Sequence, residues 1–330
     1  MTAPTRPREP GSAPPVAAED GFERAPGDGS IGAGGSVDPD GAPAAQPKPA
    51  EVPLAQSEAD APVVPPADVA SGPGAGAVPD AAPPTRKSGR RTVRAGNPVP
   101  EERVAAMFDE IAPVYDRMNT LMTLGSDRRW RRLAVDATGA RAGDSVIDVA
   151  CGTGKLSVAL AERVGPFGRV LGVDLSPAMV AYARHAHPDL VQLHFEAGNA
   201  LDLPAEDGEF DAATIAFGLR NLADFEAGLR ELRRVVRPGG RVVCLELSMP
   251  RPRAWGRVFH ATFRRSAPLL GSLFGRRHAY SYLPQSLTGF PEADQLAATM
   301  RRAGLVEVGF RRIALGTVAV HRGRVPDHPA

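Results

Sequence analysis

Two carboxylates and a glycine loop are the residues of this chain best placed by type and spacing to do chemistry. In "IDVACGTGKLS" an apolar run carries Asp148 and then breaks into Gly152 and Gly154, and the next apolar run, "GRVLGVDLS", ends on Asp174. Glycine permits positive φ and lets a ligand lie against bare main chain, so the loop predicts a small-molecule site. Asp174, ending a strand, is suited to accept hydrogen bonds from two vicinal ribose hydroxyls. The competing role, capping the following helix, is one that Ser176 can fill. Asp148 lies within an apolar strand, where an unpaired charge is expensive. It is expected either to fix the loop or to meet a ligand ammonium, with a purely structural hydrogen bond as the other role.

A dinucleotide site would show G-x-G-x-x-G. Here the third position is Ser157, after Lys155 and Leu156, which weakens a pyrophosphate reading. The pattern favours a nucleoside ligand with a short amino-acid tail, S-adenosylmethionine, over NAD. Further along, "EAGNALDLP" puts Asn199 and the amide of Ala200 at the edge of the base, with Leu201 and Leu203 as apolar walls, or else forms a plain Asn turn. "AFGLRN" sets Arg220 and Asn221 just beyond an apolar strand. They are expected at the mouth of the site, against the alternative of a solvated surface arginine. His260 and His321 are alternative bases, His321 with a structural role expected.

The elements that position these residues alternate. Apolar strands "DSVIDVA", "GRVLGVDLS", "LVQLHFEAG", "FDAATIAFG" and "GRVVCLELS" are separated by helical patterns, which implies βαβ crossovers and a parallel sheet covered on both faces. An amphipathic helix with a break at Pro113 precedes them. A helix over 291–303 leads into "LVEVGFRRIAL" and "TVAVHRG", joined so closely at Gly316 that they must form a hairpin. The expected fold is α/β, Rossmann-like, with a mostly parallel seven-stranded sheet ending in an antiparallel hairpin. Ligands of such sheets bind beyond the carboxyl ends of the strands.

Composition divides the chain. Residues 1–95 hold more than half of its 33 prolines and a single aromatic, Phe22, and are expected to be a disordered Pro/Ala/Gly-rich tail. Residues 96–330 form the working domain, with a helical insertion at 250–290. Net charge of +1 gives no sign of a nucleic-acid partner. Two cysteines, 151 and 244, offer neither a metal site nor a disulfide framework and fit a reducing cytoplasm. No secretory signal or membrane span is read.

Taken in order, "VAAMFDEIAPVYDRMN", "VIDVACGTG", "FDAATIAFGLRN", "LRELRRVVRPGGRVVCLELSMP" and "ALGTVAVHRG" resemble the UbiE-type family of quinone-ring C-methyltransferases. The resemblance covers residues 103–324 and implies a class I S-adenosylmethionine-dependent fold. It implies C-methylation of a prenylated quinol, demethylmenaquinol first, a ubiquinone-precursor benzoquinol second. A secondary-metabolite methyltransferase and a non-catalytic donor-binding module are the more distant readings. Thr153, Asp174, Asn199 and Ala200 match the family's donor contacts, and Asp148, Gly152, Gly154, Leu175 and Ala216 complete the expected set. Arg220, Asn221 and Tyr282 are the expected catalytic residues, with no metal. Tyr115 and Tyr282 are read as lid or ring-packing residues, with plain core packing as the alternative. Two departures stand out, Ala216 where the family often has Ser and Lys155 where it often has Asp. The insertion interleaves Arg with Trp255, Phe259, Phe263 and Phe274. It is read as an ordinary helix pair or as an entry for a lipid-soluble quinol tail, which would make the protein cytoplasmic and peripheral to the inner face of the membrane. A homodimer is left open.

Overall fold

The structure is a computed structural model that describes residues 21–24, 96–97, 99–250 and 290–328. The rest of the expected tail, and residues 251–289 of the expected insertion with His260 and Tyr282, lie outside the described residues. Five strands run parallel: β2 (Ser145–Val149), β3 (Arg169–Asp174), β4 (Leu193–Ala197), β5 (Phe210–Ala216) and β6 (Val236–Leu247). The hairpin β7 (Val306–Ile313) and β8 (Val318–Arg324) completes the expected seven, with β8 inserted antiparallel beside β6. The spatial order is β7-β8-β6-β5-β2-β3-β4. Order reverses between β2 and β5, so the loops leaving these two strands diverge and open a crevice at their carboxyl ends.

An eighth strand was not expected. Glu23–Arg24, inside the segment read as tail, forms β1 and pairs antiparallel with Gly309 and Phe310 of β7. Phe22 anchors it, buried under the Arg322 guanidinium at 4.3 Å from the ring centre, and Glu23 pairs with Arg312 at 2.8 Å. The lone aromatic of the tail is thus what docks it.

Alternate residues of the buried strands feed two apolar layers. On one face Ile147, Ile215 and Val242 pack against Leu229 and Leu232 of α5 (Phe225–Val235) and Leu296 and Met300 of α6 (Ala293–Arg302). On the other, Val146, Val170 and Val243 meet Leu156 and Leu160 of α3 (Lys155–Val164), Val180 of α4 (Pro177–Ala186) and Ala134 of α2 (Asp127–Thr138). As read, Ser176 caps α4, accepting from the Met179 amide, with Pro177 at the first position. Helix α2 was not anticipated. Its sequence is Arg-rich, and only the small residues Ala134, Val135, Ala137 and Thr138 with Asp127 are buried.

Helix α1 (Glu101–Thr123) crosses the mouth of the crevice. The expected break at Pro113 is absent and the helix is continuous. Proline inside a helix costs about 3 kcal/mol. Burial of Ile111, Ala112 and Met118 against Met179 on both sides of Pro113 offsets that cost.

Candidate active site

The carboxyl ends of β2, β3, β4 and β5, roofed by α1, line a cleft placed where ligands of such sheets bind. Gly152, Asp174, Leu175, Asn199, Ala200, Ala216 and Asn221 all line it, as do Tyr115, Val104, Phe108 and Met179. Asp148, Thr153, Gly154, Leu201, Leu203 and Arg220 are not among its lining residues.

The two glycines of the loop have different tasks. Both are at positive φ, +56° for Gly152 and +84° for Gly154. A Cβ on Gly154 would lie 2.6 Å from the Phe195 ring, so this glycine is required by packing beneath the loop. A Cβ on Gly152 would meet nothing nearer than the Tyr115 ring at 3.8 Å; this is the bare backbone the cleft presents. Two strained residues join it, Ala150 at φ 53° and Phe217 at φ 55°. They end β2 and β5, both line the cleft, and Gly218 fits where a Cβ would come within 2.4 Å of the Ala150 Cβ. Such conformations cost about 1–3 kcal/mol each and cluster at working sites. Nothing in the amino-acid pattern foretold them.

Asp174 accepts the Gly152 amide at 2.7 Å and the Ser176 amide at 2.9 Å. Burial pushes its carboxyl above the usual range, the two amides pull it back, and Asp109 adds to the rise. Asp148 stands behind the loop. Its oxygens accept the Ser157 hydroxyl at 2.6 Å and the Thr214 hydroxyl at 2.7 Å, and desolvation raises its pKa to about 6. Of its expected roles the geometry supports fixing the loop, not meeting a ligand ammonium. Ser157, the position where a dinucleotide loop would carry glycine, is the hydroxyl that the buried Asp148 needs.

Helix α1 reaches each loop with one acid. Asp116 accepts the Thr153 hydroxyl at 2.7 Å and lies 3.3 Å from the Lys155 ammonium. Asp109 accepts the Ser176 hydroxyl and, at 3.1 Å, the Ala178 amide. Glu101 accepts from the Asn199 side-chain amide at 2.9 Å. Thr153, expected against the donor, therefore holds the roof. The apolar walls expected of Leu201 and Leu203 come instead from α1 and α4, since Leu203 is buried in the core below.

Arg220 is not an open cation. It is buried, its guanidinium donates to Glu246 at 2.5 Å and to the Phe217 carbonyl at 2.6 Å, and its amide reaches Glu246 at 3.3 Å. An ion pair of this kind presents little net charge to the cleft. Arg220 instead ties the turn Leu219–Asn221 to β6. His321 is structural as expected. Its Nε2–H donates to the Ala293 carbonyl at 2.9 Å, and burial lowers its pKa to about 4. Tyr115 meets Phe108 edge-on at 6.0 Å, and burial raises its phenol pKa, which keeps it protonated. Among the described residues no cluster of three or more His, Cys, Asp or Glu could hold a metal, and no helix is long and apolar enough to cross a membrane.

The profile of the ubiE/COQ5 methyltransferase family matches residues 97–325. This chain belongs to the ubiE/COQ5 methyltransferase family. A Thermus thermophilus demethylmenaquinone methyltransferase is 46% identical over 67% of this chain and 100% of its own length. The ubiquinone/menaquinone biosynthesis C-methyltransferase UbiE of Geobacter sulfurreducens is 40% identical over 67% of this chain and 88% of its own. Among solved structures the [4+2]-cyclase SpnF is similar in fold, with 19% identity, TM-score 0.53 and coverage of 71% of this chain and 100% of its own. A family member is thus a methyltransferase on a fold that also carries other chemistry, and its residues, not its fold, must define the reaction. Glu101, Asp109, Asp116, Ala150 and Phe217 are the site residues that the sequence reading missed. For the three acids the available signal was recurrence about every two turns along one amphipathic helix.

Proposed function

We propose that this chain transfers the methyl group of S-adenosylmethionine to a ring carbon of a demethylated menaquinol. The observation that carries the reading is the desolvated Asp174 carboxylate beside the bare backbone of Gly152, in the roofed cleft. A carboxylate has about four acceptor positions, and the two loop amides engage one on each oxygen, which leaves acceptors for a sugar diol. Gly152 admits an amino-acid tail, and Val104, Phe108, Leu175 and Met179 give apolar walls to a base. The bound donor supplies an electrophilic methyl group. The work left to the chain is alignment of a carbon nucleophile and exclusion of water. Asn221, in the cleft at the β5 end, is assigned to a ring oxygen, and Tyr115 to closing the cleft. Arg220 acts as a positioning residue for that turn, and Tyr282 is assigned to ring packing on the family resemblance.

The naphthoquinol ring is favoured by the Thermus relative's name, and the name of the Geobacter relative keeps a benzoquinol as the second reading. A polyprenyl tail calls for access from a bilayer, and the interleaved Arg and aromatic residues of the 251–277 sequence suit anionic headgroups. The reading therefore includes a cytoplasmic enzyme in peripheral contact with the membrane, with residues 1–95 as a tail clipped to the sheet at Phe22–Arg24. The test is incubation with methyl-labelled donor and a panel of demethylated naphthoquinols and benzoquinols, followed by identification of the methylated carbon. Label on a naphthoquinol ring carbon is expected. Preference for a benzoquinol refutes the ring assignment, and donor binding without transfer to any quinol refutes the reaction.

A further inference from the structure

We propose that Glu101 is the residue that selects the purine of the donor, accepting a hydrogen bond from its exocyclic amine; this rests on the donor reading given above. Sheet order sets the direction of the ligand. The cleft runs from Gly152 after β2, past Asp174 at the end of β3, to Asn199 and Ala200 after β4. A ligand with its tail at Gly152 and its sugar at Asp174 presents its base to Asn199. The Asn199 side chain is already engaged there: its oxygen accepts the Leu201 amide at 2.9 Å and its amide donates to Glu101 Oε2 at 2.9 Å. Glu101 Oε1 is sealed from solvent and has no hydrogen-bond partner among the described residues. A buried carboxylate oxygen left unpaired is costly, and a donor group arriving in the cleft that Glu101 lines relieves that cost.

The residue is held in place beforehand. The Asn97 amide donates to the Leu222 carbonyl at 2.8 Å, fixing the entry to α1. Gly96 lies so close to that loop that a Cβ would come within 1.8 Å of the Ala223 carbonyl oxygen. Glu101 is thus an acceptor where adenine has an amine and hypoxanthine has an oxygen. A site built to pair with a donor rejects the analogue that lacks it.

Calorimetry on the full chain with S-adenosylhomocysteine and its 6-oxo counterpart, S-inosylhomocysteine, tests this without turnover. The wild type is expected to bind the amino form at least about tenfold more tightly than the oxo form, the size of one good hydrogen-bond mismatch. Glu101→Gln keeps an acceptor for Asn199 and offers an NH₂ in place of Oε1. It is expected to weaken the amino form about tenfold and to shrink or invert the preference. Equal binding of both ligands by the wild type, or an unchanged preference in E101Q, overturns the assignment and leaves the donor reading intact. Failure of the wild type to bind either ligand overturns the donor reading and this assignment with it. Equal binding by the wild type overturns the assignment even if E101Q does not fold, and in that case Glu101→Ala, expected to lose the preference, replaces it.

Discussion

Replacing Asp148 by Asn should make the protein more stable at neutral pH while leaving donor affinity within about threefold. The carboxyl is buried, and its pKa rises from 3.8 to about 6 chiefly because burial disfavours the charge, against the pull of the Ser157 and Thr214 hydroxyls. A folded pKa above the unfolded one means that the folded state binds more protons between the two values. The contribution of Asp148 is therefore fully present below pH 3.8 and is lost as pH rises through about 6. At about 1.4 kcal/mol per unit, ionised Asp148 costs the fold about 3 kcal/mol at pH 7, an upper bound. The wild-type profile alone would hide this, because His321 works the other way. Its pKa falls from 6.5 to about 4 through burial, so its contribution is present above pH 6.5 and lost as pH falls toward 4. The informative quantity is the difference between Asp148→Asn and wild type in urea midpoint and slope, measured from pH 4 to pH 8. That difference should grow by about 3 kcal/mol across the range, since both hydroxyls can donate to, or accept from, an amide. A difference that does not change with pH refutes the argument. A fall in S-adenosylmethionine affinity of a hundredfold or more would instead mean that Asp148 reaches the ligand.

Asp174→Ala removes the acceptor assigned to the sugar and should weaken donor binding about 10- to 100-fold by calorimetry, the loss of one to two charge-assisted hydrogen bonds; unchanged affinity would remove Asp174 from the site. Arg220→Ala leaves Glu246 buried without its guanidinium, and urea unfolding should show a loss of about 3–5 kcal/mol. A variant of wild-type stability that binds donor but does not turn over would restore Arg220 to the reacting centre. Phe22→Ala should release β1, read as faster hydrogen exchange at the β7 amides that pair with it, with donor affinity unchanged; unaltered exchange would mean that Phe22 does not anchor the strand.

The five parallel strands were visible in the sequence because strands of a sheet covered on both faces are rich in apolar residues, and the last two because a link as short as that at Gly316 permits only a hairpin. The α4 cap was visible because Ser-Pro at a helix start has a local mechanism. What escaped depended on partners distant in sequence. Arg220 looked like a free cation because Glu246, which neutralises it, lies in another strand, although a lone acid in "VVCLELS" was itself a sign that a cation was needed. Asp148 and Ser157 were both noticed, but their pairing at 2.6 Å required knowing that helix α3 folds back along β2. Helix α2 was hidden by its arginines, and β1 by the composition around Phe22. The positive φ of Ala150 and Phe217 leaves no trace in residue type.

The first helix, which sequence reading credited only with a lid or packing role for Tyr115, is what organises the site. Along α1, Glu101, Asp109 and Asp116 engage Asn199 after β4, Ser176 after β3 and Thr153 after β2. One helix thereby touches, in order, the loops assigned to base, sugar and tail. Each of these contacts is a hydrogen bond to a carboxylate, stronger than a neutral one, and each holds a loop rather than a ligand. Lys155, where the family often has an acid, belongs to this set, because its ammonium lies beside Asp116. This departure from the family is therefore a contact of the roof. A donor held at Asp174 would therefore lie under a helix fastened at three points. Affinity for the donor and the docking of α1 are then parts of one equilibrium, since the same loops must satisfy both.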